Sequence, residues 1–253
     1  MVFKDDFDGS IIDSSYGQVG YRVFGQGKSV VLVHGAGGSY GFWSEQVGNL
    51  DCKIITVTLP GHGGLSREGD VSVEVYAECV DLVVEELNLD EPVVIGHSMG
   101  GAITLTYALI HDVEKIGLIS TGARLPIREN LLRRSRENKE VIMEFVLNWG
   151  FAPGVDERIK EDFRRIMLNV SVDTLYQDLK ACKDFDLRGD LDHIRAPSLI
   201  LYGSIDKMTS PSLVRELERL PNSKSEVVEG AGHMLPLERP VETNSILNNW
   251  ISE

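Results

Sequence analysis

A chain of 253 residues, 42% of them hydrophobic, is long enough to bury one sizeable core. It carries no stretch near the roughly 18 apolar residues of a membrane span. Its net charge of −14 argues against a nucleic-acid partner, because phosphate binding needs a basic stripe and none is concentrated here. The three cysteines, Cys52, Cys79 and Cys182, lie far apart without Cys-x-x-Cys spacing, so neither a zinc site nor a disulfide framework is suggested. Cys79 sits among helix-patterned residues and reads as core. The start, Met1 to Ser10, mixes Lys4 with Asp5, Asp6 and Asp8 and leads into no apolar run, so it does not read as a secretory signal. The expectation is a soluble, cytoplasmic protein with no membrane partner.

Short β-branched runs alternate with longer helical patterns along the chain, which predicts a mostly parallel sheet covered by helices. The strand candidates are Gly20 to Phe24, Val30 to His34, Lys53 to Thr58, Pro92 to Ile95, Ile116 to Ser120, Ser198 to Tyr202 and Ser225 to Glu229. Runs such as Val30-Val31-Leu32-Val33 suit strands buried on both faces. The helical patterns are Val73 to Leu87, Gly100 to His111, Ser212 to Leu220 and Val241 to Ile251, each following a strand as a βα unit requires.

The alternation breaks once, between Ser120 and Ser198. Leu131, Leu132, Ile142, Phe145, Val146 and Trp149 recur at roughly helical spacing, followed by Ile159, Phe163, Ile166 and Met167, then by Leu175, Leu179 and Cys182. The pattern is that of a helical insertion. Residues Arg124 to Asp190 hold 13 Lys plus Arg and 13 Asp plus Glu, so the remaining chain carries the whole −14. The Arg-rich start, Arg128, Arg133, Arg134 and Arg136, could face an acidic carrier or anionic substrate. With Glu137, Glu140 and Glu144 interspersed, the expectation is an ordinary solvated helix face.

Gly96-His97-Ser98-Met99-Gly100 carries the chemistry, and context gives the motif its weight. A buried-strand pattern, Pro92 to Ile95, runs into it, and a helix pattern from Gly100 leaves it. Such a turn strains the serine and exposes its hydroxyl, while Gly96 and Gly100 let strand and helix approach. It also places Ser98 at a helix N-terminus, where free N–H groups favour developing negative charge.

A serine hydroxyl needs a base, and the base a carboxylate to orient it. Of the six histidines, His34, His62, His97, His111 and His193 have unremarkable explanations by their place on strands, turns and helix ends. His233 lies on the glycine-rich loop Glu229-Gly230-Ala231-Gly232-His233-Met234, just after the last strand, where an imidazole can reach the carboxyl edge of the sheet. Asp206 follows the strand Ser198 to Tyr202 and the breaker Gly203, on that same edge. Asp190 and Asp192 precede their strand and belong at the opposite end.

These residues, in the order Ser98, Asp206, His233, with His34-Gly35-Ala36-Gly37-Gly38 after an early strand and Leu59-Pro60-Gly61-His62-Gly63 after the next, resemble the α/β-hydrolase fold family. The likeness spans essentially the whole chain. It implies a mostly parallel central sheet flanked by helices, with a helical lid inserted after the sixth strand. The core domain would be 1–123 and 191–253, and the lid 124–190. It also implies an oxyanion hole from the backbone N–H groups of Met99 and Ala36, or Gly37 if the loop is offset by one. Gly25-Gln26-Gly27-Lys28-Ser29 only ends like a phosphate-binding loop, since Arg22 stands where that motif needs glycine. Tyr40 likewise breaks the dinucleotide pattern after Gly35.

The expected activity is cofactor-free and metal-free hydrolysis of a small or medium carboxylic ester. Phe145, Trp149, Phe151 and Met167 suggest a partly hydrophobic pocket, with Phe145 and Trp149 as the substrate-binding candidates. The first alternative is carbon-carbon bond hydrolysis of ring-cleavage products. Against it stand His233-Met234, where such enzymes commonly show His-Trp, and Gly-Gly-Ser after Ala36 in place of Gly-Pro-Gly. A ligand-sensing or partner-binding role with little turnover is the alternative from another class.

Overall fold

The uninterrupted apolar runs of the sequence become the middle of one sheet. The computed structural model describes residues 7–253, so most of the acidic start discussed above lies outside the described residues. Strands β1 (Ser10–Ser14), β2 (Gly17–Phe24), β3 (Ser29–Val33) and β4 (Lys53–Thr58) are followed by helix α1 (Val73–Glu86), β5 (Val93–His97), α2 (Met99–Ile110) and β6 (Lys115–Ile119). Helices α3 (Glu129–Ser135), α4 (Lys139–Trp149), α5 (Glu157–Leu168) and α6 (Val172–Asp184) come next. The chain closes with β7 (Ser198–Gly203), α7 (Pro211–Val214), β8 (Ser223–Val228), α8 (Leu235–Glu238) and α9 (Pro240–Ser252).

The strands order as β1-β2-β4-β3-β5-β6-β7-β8. Only β1 with β2 and β2 with β4 are antiparallel, so from β4 onward the sheet is parallel. Val30, Val31, Leu32 and Val33 of β3 are fully buried. Their side chains alternate, Val31 and Val33 joining a core with α1 and α2, Val30 and Leu32 a second core with α9 and the helices after β6. Each such burial contributes about 1.5–3 kcal/mol, and the two cores together fix the sheet register.

Helices α3 to α6 follow the sixth strand, β6. Ile142, Met143, Phe163, Met167, Leu175 and Leu179 from these helices share one apolar cluster with Leu32 and Ile119 of the sheet, so the segment is packed onto the core. No helix among the described residues is long and apolar enough to cross a membrane.

Three local readings need correction. Strand β1 was not anticipated, because it is a short edge strand with Ile11 45% exposed and no apolar run to mark it. The expected helix Ser212 to Leu220 is α7 followed by a 3-10 turn over Arg215–Arg219. Val214, Leu217 and Leu220 are buried at intervals of three, the period of the tighter helix. Between Leu132 and Ile142 the helical spacing conceals a break, where the Asn138 side chain accepts from Glu140 N–H and starts α4 afresh.

Candidate active site

Ser98 joins β5 to α2 at φ 54° and ψ −118°, a left-handed conformation that is strained for a serine. Its N–H donates to Ile119 O at 2.9 Å, and its carbonyl accepts from Gly101 N–H at 2.9 Å and from Thr121 Oγ1 at 2.8 Å. The neighbouring glycines permit this. A Cβ on Gly96 would sit 2.0 Å from Gly100 O, and one on Gly100 would sit 2.2 Å from Val33 O. The Ser98 side chain makes no capping hydrogen bond, which leaves its hydroxyl free at the N-terminus of α2.

Asp206 and His233 come from the loops after β7 and β8. His233 Nδ1 donates to Asp206 Oδ2 at 2.9 Å, so Nε2 is the nitrogen left to accept a proton. Thr209 Oγ1 donates to the same oxygen at 2.5 Å, while Met208 and Thr209 N–H groups donate to Oδ1 at 2.8 and 2.9 Å. Burial alone would raise the Asp206 carboxyl. The charge of His233 and these hydrogen bonds outweigh it and hold the group below its ordinary range.

The His233 loop is fixed from behind. Gly150 O, at the end of α4, accepts from His233 N–H at 2.7 Å and Met234 N–H at 3.2 Å. Buried Glu238 accepts from Ala152 N–H at 3.1 Å, Gly232 N–H at 2.8 Å and Met234 N–H at 3.0 Å. Burial raises its carboxyl above the ordinary value, with the three amides opposing. His97 Nε2 donates to His233 O at 3.0 Å and its ring stacks on Phe42 at 4.4 Å. Burial, then the charge of His233, hold His97 down to about 3, so it is neutral.

The loop after β3 is organised by a second histidine and aspartate. Asp178, on α6, is fully buried and accepts from His62 Nε2 at 2.9 Å, Tyr76 OH at 2.7 Å and Gly37 N–H at 3.0 Å. His62 Nδ1 donates to Pro60 O at 3.1 Å. Both His62 nitrogens thus face oxygens that only accept, which makes it an imidazolium. Burial would depress His62 and raise Asp178, but their attraction wins, raising the histidine and lowering the acid. His34 Nε2 accepts from Leu59 N–H at 3.1 Å and Nδ1 donates to Gly35 O at 2.8 Å. Asp178 occupies the Gly37 amide, whereas the Ala36 and Met99 amides donate to no protein acceptor among the described residues.

Ser98, Ala36, His97 and His233 line one cavity of about 80 Å³, walled by Phe42, Leu131, Phe145, Phe163, Met167 and Met208 among others. It adjoins an outer vestibule of about 500 Å³, which shares Leu131, Phe145 and Met208 and adds Arg128, Arg134, Trp149 and Lys207. The structure therefore brings Ser98, His233 and Ala36 to one space, with Asp206 directly behind His233 and Met99 buried beside Ser98. Phe145 reaches the inner cavity. Trp149, 52% exposed, stacks with Phe145 at 6.1 Å and reaches only the vestibule, while Phe151 is packed in the core. Asp190 and Asp192 lie far from it on the surface, beside His193 and Arg219.

Thr209, Glu238 and Asp178 were missed by sequence reasoning. Asp178 left a signal, a carboxylate between Leu175, Leu179 and Cys182 on the buried face of α6.

A family model described as "Alpha/beta hydrolase family" matches residues 30–246. The AB hydrolase superfamily protein YisY of Bacillus subtilis is 25% identical, covering 88% of this chain and 91% of its own. A pimeloyl-[acyl-carrier protein] methyl ester esterase of Vibrio atlanticus is 26% identical over 84% of this chain and 90% of its own. Among solved structures, an esterase from Exiguobacterium antarcticum superposes with a TM-score of 0.91 at 22% identity, covering 97% of this chain and 100% of that one. With the sheet order, the turn at Ser98 and a family match over most of its length, this chain belongs to the alpha/beta hydrolase family.

Proposed function

We propose that the protein is a serine hydrolase that cleaves a small or medium carboxylic ester through an acyl-enzyme on Ser98, with Asp206 and His233 completing the triad. The observation that carries this is the Asp206-oriented His233 sharing one apolar cavity with the strained, uncapped Ser98. His233 Nε2 takes the Ser98 proton as Oγ bonds to the carbonyl carbon. The oxyanion is held by the Ala36 and Met99 amides, each such donor being worth about 2.7–4 kcal/mol of transition-state stabilisation. Commitment of Gly37 N–H to Asp178 favours Ala36 as the donor on that loop. His233 then protonates the departing alcohol. Water gives its proton to His233 as it attacks the acyl carbon, and that proton returns to Ser98 as the acid leaves.

In this reading residues 1–123 and 191–253 form the catalytic core and 124–190 a lid that supplies most of the apolar wall. Three free, buried cysteines suit a reducing compartment, the cytoplasm. The Vibrio relative, named for a methyl ester, supports an ester as the substrate class.

A fluorophosphonate probe and a panel of p-nitrophenyl esters of rising chain length test the proposal. Wild type is expected to label at Ser98 and turn over repeatedly. Ser98→Ala is expected to lose the label and at least about 10³-fold in kcat. Turnover through a covalent intermediate in that variant would refute the assignment, and a single slow turnover in wild type would instead favour a sensor.

A further inference from the structure

The vestibule outside the reacting centre has an electrostatic character that ester cleavage does not require. Residues 124–190 contain thirteen Lys and Arg side chains, and only Arg128 and Arg134 have no ion-pair, hydrogen-bonding or aromatic partner among the described residues. Both line the vestibule. Lys207, in the Asp206 loop, lines the same space; among the described residues no carboxylate lies within ion-pair distance of it, and its ammonium is 5.8 Å from the centre of the Trp149 ring. Among the described residues, no Asp or Glu lines either the vestibule or the inner cavity.

An ordinary solvated helix face interleaves both signs, as the paired cations of α5 do with Glu157, Glu161 and Asp162. Here two elements from different parts of the chain bring three uncompensated cations to one mouth, in a protein of net charge −14. A local reversal of sign at a cleft concentrates and orients an anion. The walls between mouth and serine, Leu131, Phe145 and Met208, are apolar, and the inner cavity is the smaller of the two spaces.

We propose that the vestibule binds the anionic end of the substrate, so that the preferred ester carries a carboxylate or phosphate separated from the reacting carbonyl by an apolar spacer. This rests on the serine hydrolase reading above. The inner cavity takes a short group, the spacer runs along Phe145, and the substrate's anionic terminus meets Arg128, Arg134 and Lys207. Guanidinium groups suit both carboxylate and phosphate oxygens, so both chemistries enter the test.

The experiment compares p-nitrophenyl esters of matched length ending in a methyl, a carboxylate or a phosphate, at low salt and at 0.5 M salt. Expected is a kcat/KM at least roughly tenfold higher for one or both anionic esters at low salt. That ratio should shrink at high salt and fall towards one in the triple variant Arg128→Gln/Arg134→Gln/Lys207→Gln. Preference for only one anion identifies which chemistry the site takes. If wild type cleaves the methyl-ended ester as well as the anionic ones, or the triple variant keeps the preference, the vestibule proposal is wrong and the hydrolase reading stands. If wild type cleaves none and Ser98 takes no fluorophosphonate, both fall together.

Discussion

Two histidine–aspartate pairs of equal 2.9 Å length lie inside this protein, and their difference separates chemistry from architecture. Each aspartate also receives a hydroxyl and backbone N–H donors: Thr209 Oγ1 with the Met208 and Thr209 amides for Asp206, and Tyr76 OH with the Gly37 amide for Asp178. His233 spends one nitrogen on its aspartate and keeps the other for the cavity. His62 spends both on protein oxygens and has nothing left to exchange. The first arrangement leaves a nitrogen able to exchange a proton with the cavity, while the second ties both nitrogens to protein oxygens and so links α6 to two loops.

Removing the ring that faces the cavity should have the largest effect on rate. His233→Ala is expected to lower ester kcat by roughly 10⁴-fold or more, with a small shift in the urea midpoint. A kcat within tenfold of wild type would erase the distinction between the pairs.

The sealed pair should show the larger effect on stability. Asp178→Ala strands the buried His62 charge and frees Tyr76 OH and Gly37 N–H, and it should destabilise by about 3–5 kcal/mol in chemical denaturation. Asp178→Asn is the milder variant, and its deficit should depend on pH. The depressed Asp178 carboxyl stabilises above its ordinary 3.8, and this contribution is lost as pH falls through the lowered value. The raised His62 stabilises fully below its ordinary 6.5, and this contribution is lost as pH rises through the raised value. The gap between wild type and variant is therefore widest between those two pH values. Urea midpoints measured across pH test this, and a flat gap would mean that the pair is not ionised.

The hydroxyls give the smallest and sharpest contrast. Tyr76→Phe should cost about 1–2 kcal/mol of stability and leave kcat nearly unchanged. Thr209→Val should cost less stability than rate, visible as a several-fold drop in kcat and a displaced acidic limb of the pH–rate profile. Equal effects of the two variants on kcat would show that both networks serve the reaction.

The parts of this arrangement that depend on local pattern were legible in the sequence. Val30 to Val33 announced a central strand, the glycines around Ser98 announced the turn, and Asp206 and His233 each followed a strand on a loop of small residues. Long-range pairings were not legible. Asp178 and His62 are 116 positions apart, and no spacing rule connects them. In the sequence His62 reads only as part of a turn, and Asp178 is hidden because the helical pattern around it is carried by its apolar neighbours Leu175, Leu179 and Cys182. Glu238 escaped for a similar reason, since its partners are backbone amides, which have no sequence signature.

The ties at Gly150 and Glu238 bear on how the molecule could be rebuilt. The backbone that carries His233 hangs from the carbonyl of Gly150 and, through Glu238, from the amide of Ala152, so a stretch of 124–190 is part of the frame that positions the imidazole. A graft that exchanges these helices for those of a relative must reproduce that backbone path, or it will displace the His233 imidazole while leaving Ser98, Asp206 and His233 unchanged in sequence. Changes at Arg128, Arg134 and Lys207, which make none of these ties, leave that frame intact.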